Sequence, residues 1–343
     1  MRRIGSRFGR RSFLRGSLSL AGLGLLGGCG IRPLGAPPAK VRRIGYLTAG
    51  STPTGPEPLS DAFRLGLREL GWVEEHNVAV EFWPADGKLE RLPEVATDLV
   101  RSGVDLIHAA ITPVALAAMQ ATTTIPIVFS APADPVLQGL ADSLAHPGRN
   151  ATGLTSINIE LTAKRVQLLK ETVPSASRLV VLTNPDLAGN VTYQAFLQAF
   201  DAGARASGLQ LRYVSLRGPD DLDSVAATIT NERPDVLAVQ PDPVLFGLRR
   251  PIAEVAMRLR LPAIADNRES AQAGLLLSYG AQLPDLYRRS AVYVDKIFRG
   301  AKPSELPVEQ PTTFEFVINL KTAQALGLTV PESVLQQATE VIQ

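Results

Sequence analysis

The sequence predicts an α/β protein made of two similar lobes. Three observations predict it: short β-rich runs alternate with amphipathic stretches, the alternation restarts midway, and local motifs recur in order across the restart. Strands alternating with helix-length stretches mark parallel sheets covered on both faces, because each parallel crossover needs a helix to return the chain.

In the first series, residues 44–48 read as a strand and 61–70 as a helix with Ala62, Leu65 and Glu69 at helical spacing. A strand at 78–83, a helix at 93–101, a strand at 105–111, a helix at 113–121 and a strand at 127–130 follow. The second series opens with a strand at 178–183 and a helix at 193–207. It continues through 211–215, 222–231, 236–240, 250–259 and 263–265, strand and helix in turn. Asp105-Leu-Ile with Thr112-Pro113-Val114 recurs as Asp235-Val-Leu with Asp242-Pro243-Val244, an offset of 130. Ala62-Phe63, Gly66, Arg68 and Gly71 recur as Ala199-Phe200, Gly203, Arg205 and Gly208, an offset of 137. Ile125-Pro126 and Ser130 recur as Leu261-Pro262 and Asp266, and Arg43 with Leu47-Thr48 as Arg178 with Leu182-Thr183. Four echoes in one order indicate two copies of one unit.

The 343 residues suffice for two ordinary domains, and 45% apolar with 20% charged content excludes a disordered chain and a polytopic membrane protein. The formal charge of +2 is unevenly spread. Residues 1–28 hold six arginines (Arg2, Arg3, Arg7, Arg10, Arg11, Arg15) and no acid; without them 29 basic residues face 33 acidic ones, a charge of −4. No basic surface is implied, so nucleic acid is not an expected partner.

Residues 17–28 are uncharged and rich in Leu and Gly, too short to span a bilayer and suited to a signal peptide at 1–28. Gly9-Arg10-Arg11-Ser12-Phe13-Leu14-Arg15 resembles the twin-arginine export signal, with Gly9 for the usual Ser or Thr and Arg15 for the usual Lys. The general secretory route is the alternative. Leu26-Gly27-Gly28-Cys29 is similar to the lipobox of bacterial lipoproteins, which implies cleavage before Cys29 and its lipidation; a free small thiol is the other reading. Cys29 is the single cysteine, so no intramolecular disulfide can form. Residues 29–41, with Pro33, Pro37 and Pro38, read as a tether to the membrane. Gly22-Leu23-Gly24-Leu25-Leu26-Gly27 fits the dinucleotide fingerprint by letter. It lies in the signal region, not between a strand and a helix, and carries no such meaning.

Several strand ends run into a polar residue and proline: Thr112-Pro113, Asp134-Pro135, Asn184-Pro185 and Asp242-Pro243. Each can be a helix N-cap followed by proline at the first helical position. Each can also face a ligand, because open parallel sheets bind at the carboxyl ends of their strands. Thr112 and Ser130 are uncharged, whereas their repeat counterparts Asp242 and Asp266 are acidic. That polarity suits a ligand with a carboxylate at the first lobe and an ammonium at the second. Asp266 could equally cap a helix at 267–273. Phe129, Phe246 and Tyr279 lie near strand ends, and packing is the preferred reading for each.

A further set of motifs is Ile44-Gly45-Tyr46-Leu47, Ile111-Thr112-Pro113, Ile125-Pro126-Ile127-Val128-Phe129-Ser130 and Ala133-Asp134-Pro135-Val136. Pro147-Gly148-Arg149-Asn150-Ala151-Thr152-Gly153 and Phe316-Val317-Ile318-Asn319-Leu320-Lys321-Thr322-Ala323 belong to it as well. In these residues the chain resembles the tryptophan/tyrosine-type substrate-binding proteins of ATP-binding-cassette (ABC) transporters. The resemblance spans residues 42–343. It implies a type I periplasmic-binding-protein fold: two Rossmann-like lobes joined by a three-crossing hinge. Lobe one is expected at 42–156 plus 281–307, and lobe two at 157–280 plus 308–343. It further implies an exported, monomeric lipoprotein that captures a small solute, with a permease and its ATPase as partners, no cofactor and no metal. The cleft positions it points to are Thr112, Ser130, Asp134, Ser156, Asn184, Asn190, Asp242 and Asp266. The sequence departs from the family in its first loop (49–58), which lacks a large stacking side chain, and at Gln240-Pro241-Asp242, where relatives often have Thr or Ser before the acid.

An enzyme is the rival class, and a ligand-sensing receptor for a membrane signalling partner is a third. The three histidines (His76, His108, His146) form no HExxH pair, and the chain after residue 28 has no G-x-S-x-G or Walker A motif. His108 reads as a core or edge histidine. A hydrolytic role would fall to Asp134, Asp242 and Asp266 as cleft carboxylates.

Overall fold

A computed structural model describes residues 40–52 and 57–343. The signal region, Cys29 and most of the tether lie outside the described residues. Val41–Gln343 carries two sheets in one compact unit. The first comprises β1 (Arg42–Thr48), β2 (Val78–Pro84), β3 (Leu106–Ala109), β4 (Ile127–Phe129) and β5 (Ala151–Gly153), in the order β2-β1-β3-β4-β5. The second comprises β6 (Arg178–Thr183), β7 (Gln210–Ser215), β8 (Val236–Val239) and β9 (Ala263–Ala265). It is completed by β10 (Leu277–Ala281), β11 (Phe314–Asn319) and β12 (Glu340–Ile342), in the order β12-β11-β10-β9-β8-β6-β7. All pairings are parallel except β10 with β11. From its far edge the second sheet runs β7-β6-β8-β9-β10, the winding of the first sheet, so the sequence repeat is a repeat of topology.

The helices are α1 (Pro58–Glu69), α2 (Leu92–Arg101), α3 (Thr112–Ala121), α4 (Leu161–Thr172), α5 (Val191–Ala206) and α6 (Leu222–Glu232). They continue with α7 (Pro243–Gly247), α8 (Arg249–Arg258), α9 (Arg268–Gln272), α10 (Leu283–Phe298), α11 (Leu320–Leu326) and α12 (Glu332–Leu335). Each sheet has an apolar cluster on both faces. In lobe one, α2 and α3 cover one face while α1 and α10 cover the other. In lobe two, α4 and α5 lie opposite α6 and α8. Strands buried on both faces read as unbroken apolar runs, and β3, β4 and β5 are buried throughout.

Local chemistry sets the helix ends. Glu57 caps α1 by accepting from Ser60 N at 2.7 Å, with Pro58 at its start. Gly66 lies on the buried face of α1, where a Cβ would fall inside contact of the Arg288 carbonyl oxygen on α10. Glycine is therefore what lets α1 and α10 touch.

The chain passes between the sheets at three places. β5 in the first sheet is followed by α4, whose Val166 and Leu169 lie in the second core. β10 in the second sheet is followed by α10, whose Leu286 and Ala291 lie in the first core. The return comes after Glu309: Val308 is buried in the first core and Glu309 bridges to Leu154. The chain thus stays with lobe one past Pro307, the point expected from sequence, because Val308 completes an apolar cluster there. At the first passage Ile157 has φ +45°, a conformation β-branched residues seldom adopt.

Candidate functional site

The carboxyl ends of β3, β4, β6, β8 and β9 bring most of the expected residues to facing edges of the two lobes. Thr112 opens α3, and its hydroxyl donates to Gln138 Oε1 at 2.8 Å. Gln138 Nε2 in turn donates to Thr192 Oγ1 at 2.7 Å, on α5 of the other lobe. This chain of bonds crosses the cleft. Asn190 caps α5 by accepting from Thr192 N at 2.8 Å, so the cap and the bridge meet at one helix start.

On lobe two, Asp242 caps α7, its Oδ1 accepting from Val244 N at 2.8 Å and Leu245 N at 2.9 Å. Asn184 caps the turn after β6 by accepting from Asp186 N, and its Nδ2 lies 3.4 Å from both Asp242 oxygens. Asp242 is only 8% exposed. Burial pushes its carboxyl above the usual range, against the pull of the Leu245 and Val244 amides and Asn184. Asp266 lies at the end of β9, with Oδ2 accepting from Asn158 Nδ2 at 2.9 Å and Oδ1 from Asn267 Nδ2 at 2.7 Å. It is not the cap of α9: that is Asn267, accepting from Ser270 N at 3.0 Å. Asp242, Asp266 and Gln240 line one small pocket with a cavity of about 10 Å³, room for roughly one water. Among the described residues no hydrogen-bond partner reaches the buried Gln240 Oε1. An unpaired buried acceptor costs about 1–3 kcal/mol until a donor reaches it.

Other expected residues are turned elsewhere. Ser130 is fully buried, its Oγ 2.8 Å from His108 Nε2, inside the core between the first sheet, α1 and α10. It therefore does not offer its hydroxyl to the cleft. His108 is likewise a core histidine, its ring 4.7 Å from that of Tyr46 and 4.2 Å from that of Phe63, with Ser290 Oγ at 3.3 Å. Burial lowers its pKa to about 3. Ser156 is 2% exposed, its hydroxyl donating to the Pro132 carbonyl at 3.2 Å. Asp134 closes its own turn, accepting from Val136 N at 3.0 Å and Leu137 N at 2.9 Å. Glu160 has its carboxyl raised by its own burial, with the charge of Asp134 adding to this.

The three aromatics differ among themselves. Phe129 is core, Tyr279 stacks near Phe314 with centroids 6.2 Å apart, and Phe246 is 41% exposed beneath the Arg249 guanidinium at 4.5 Å. Among the described residues no three His, Cys, Asp or Glu side chains gather as a metal site.

Sequence reasoning missed Gln138, Gln240, Asn158 and Arg165. The sole signal for Gln240 is its place before Pro241-Asp242. Arg165 lies on α4, between the two series of elements read from the sequence, and it is 1% exposed.

Two parallel-sheet lobes facing each other with polar strand ends define a two-lobed solute-binding protein. Residues 58–342 match the ABC transporter substrate binding protein family, and the chain belongs to it. This is a family of extracytoplasmic binding proteins, not enzymes, each serving an ABC transporter with a small-molecule ligand.

A tyrosine-binding protein of Clostridioides difficile is 26% identical over 266 residues, covering 78% of this chain and 75% of that protein. The crystal structure of an ABC domain in complex with L-Trp from Streptococcus pneumoniae has TM-score 0.80 at 26% identity, covering 88% of this chain and all of that one. A conserved domain protein from Vibrio cholerae gives 0.80 at 27% identity over the same shares. The ligand-free, open structure of a substrate-binding protein with adhesive properties from Clostridium difficile gives 0.66 at 24% identity, covering 88% of this chain and 99% of that one, a likeness of fold.

Proposed function

We propose that this protein captures an aromatic or related amino acid between its lobes and delivers it to an ABC permease. The observation that carries the reading is the buried Gln240 Oε1, which no donor reaches among the described residues and which belongs to a residue lining one pocket with the buried Asp242. An α-ammonium group supplies donors and positive charge together. The amino-acid ligands of the Clostridioides and Streptococcus relatives support the same class. Thr112 and the backbone N–H groups in the first turn of α3 are then the lobe-one partners of the carboxylate. Asn184 and Asn190 would frame the entrance, while Ser156 and Asp134 shape the loops behind it. Closure follows because a ligand touching both lobes binds the closed arrangement more tightly than the open one. The three passages between the sheets are the hinge.

The Cys29 lipid anchor after a twin-arginine signal, and a monomeric state, complete the proposal. The test is a thermal-shift screen of the purified protein with the common amino acids, small acids and sugars. A ligand selective for the folded state raises the melting temperature, by about 2.7 kcal/mol of stability at a hundredfold excess over Kd. A shift with L-tryptophan, L-tyrosine or a close analogue supports the reading. A response to neutral sugars alone, unaltered by Asp242→Ala, overturns it.

A further inference from the structure

Arg165 is a guanidinium buried in the interior of lobe two, 1% exposed, and among the described residues its hydrogen bonds go to carbonyls, an amide oxygen and a hydroxyl rather than to a carboxylate. Its Nε donates to the Tyr279 carbonyl at 2.6 Å, and Nη1 to the Asn158 carbonyl at 3.0 Å. Its Nη2 donates to Asn158 Oδ1. Tyr279 and Asn158 stand at two of the three passages between the lobes. Asn158 then turns its amide nitrogen to Asp266 Oδ2 at 2.9 Å. A buried cation needs a compensating charge. Burial draws the guanidinium down to about 10, and Asp266 is the acid whose charge opposes that fall. The Asp266 backbone also lies close against Gly280, where a Cβ would collide with its carbonyl oxygen.

We infer that Arg165 is a positioning residue whose counter-ion is Asp266, relayed through the amide of Asn158. The two acids of the cleft are then unequal. Asp266 has its charge satisfied inside the fold and serves as a strut between the pocket and the hinge segments. Asp242, whose hydrogen-bond partners among the described residues include no cation, is the acid left to take a ligand's positive end. This division deepens the cleft reading above, but the strut itself does not depend on it.

The experiment is a double-mutant cycle on the full protein with Asp266→Asn and Arg165→Met, read by thermal unfolding. Each single change leaves the other charge uncompensated, at the buried Arg165 or the half-buried Asp266, and should lower the melting temperature by about 5 °C or more. The double variant should be no less stable than the weaker single one. Losses that add overturn the pairing. The second arm measures affinity for L-tryptophan and for its carboxylate-free amide, each as a probe. Arg165→Met alone uncovers the Asp266 charge and should shift the preference at least threefold toward the cationic amide. Adding Asp266→Asn should reverse that shift. An unshifted preference in Arg165→Met, or a shifted preference that persists in the double variant, overturns the counter-ion role. If the parent binds neither probe, the amino-acid reading fails and the unfolding cycle alone decides the strut.

Discussion

His108 offers a measurable consequence of burial. Its folded pKa is about 3 against 6.5 for the exposed side chain, with desolvation as the cause. The unfolded chain therefore binds a proton that the folded chain refuses throughout the interval between those values. The stability contributed by neutral His108 is fully present above 6.5 and is lost as the pH falls toward 3, at about 1.36 kcal/mol per unit inside the window. Between pH 7 and pH 5 the loss is about 2 kcal/mol, roughly 0.7 M in urea midpoint for a slope of about 3 kcal/mol per molar. Titrating carboxylates share the same pH range, so the comparison is with His108→Gln, which can still bond Ser130 Oγ but does not titrate. The parent should lose about 2 kcal/mol more than the variant from pH 7 to pH 5. Independently, NMR should show the His108 ring still unprotonated at pH 5. Equal losses in parent and variant, or a His108 signal that titrates near 6.5, would refute the desolvation argument.

Asp242→Asn should weaken amino-acid binding at least tenfold, since removing one member of a desolvated charge pair costs about 2–5 kcal/mol, and calorimetry reads the change. Because burial raises the Asp242 carboxyl, parent affinity should begin to fall on acidification at a higher pH than an ordinary aspartate would give. Gln138→Ala breaks the bridge from Thr112 to Thr192; a loss of about 1 kcal/mol shifts the lobe equilibrium roughly fivefold toward open forms, seen as a larger ligand-free radius of gyration by X-ray scattering. Gly66→Val drives side-chain atoms into the Arg288 carbonyl and should lower the melting temperature by several degrees, an overpacking cost of about 1–3 kcal/mol. Cys29→Ser should move the protein from the membrane fraction to the soluble extracytoplasmic fraction.

Repetition and periodicity made the architecture legible. The Asp105 and Asp235 echoes stand just before β3 and β8, equivalent strands of two sheets wound alike. Thr112, Asn184 and Asp242 were legible as well, because a polar residue before proline at a strand end has few uses beyond starting a helix or turn at the sheet edge. What sequence pattern could not supply was side-chain direction at the last residue of a short strand. Ser130 and Asp266 are repeat counterparts, yet Ser130 turns into the core toward His108 while Asp266 reaches Asn158. Pleat parity is lost where a strand gives way to a loop, and the nearest unsatisfied partner then decides. Arg165 marks the same limit more sharply. One-dimensional pattern assigns an arginine to solvent, and only the meeting of Asn158, Tyr279 and Asp266 from three distant segments provides the acceptors and charge that let it be buried. The sequence by itself determined two repeated parallel-sheet lobes and their polar edges, because those follow from local periodicity. Tertiary structure alone decided which polar groups remain open to a ligand, because hydrogen-bond satisfaction depends on neighbours far away in the chain.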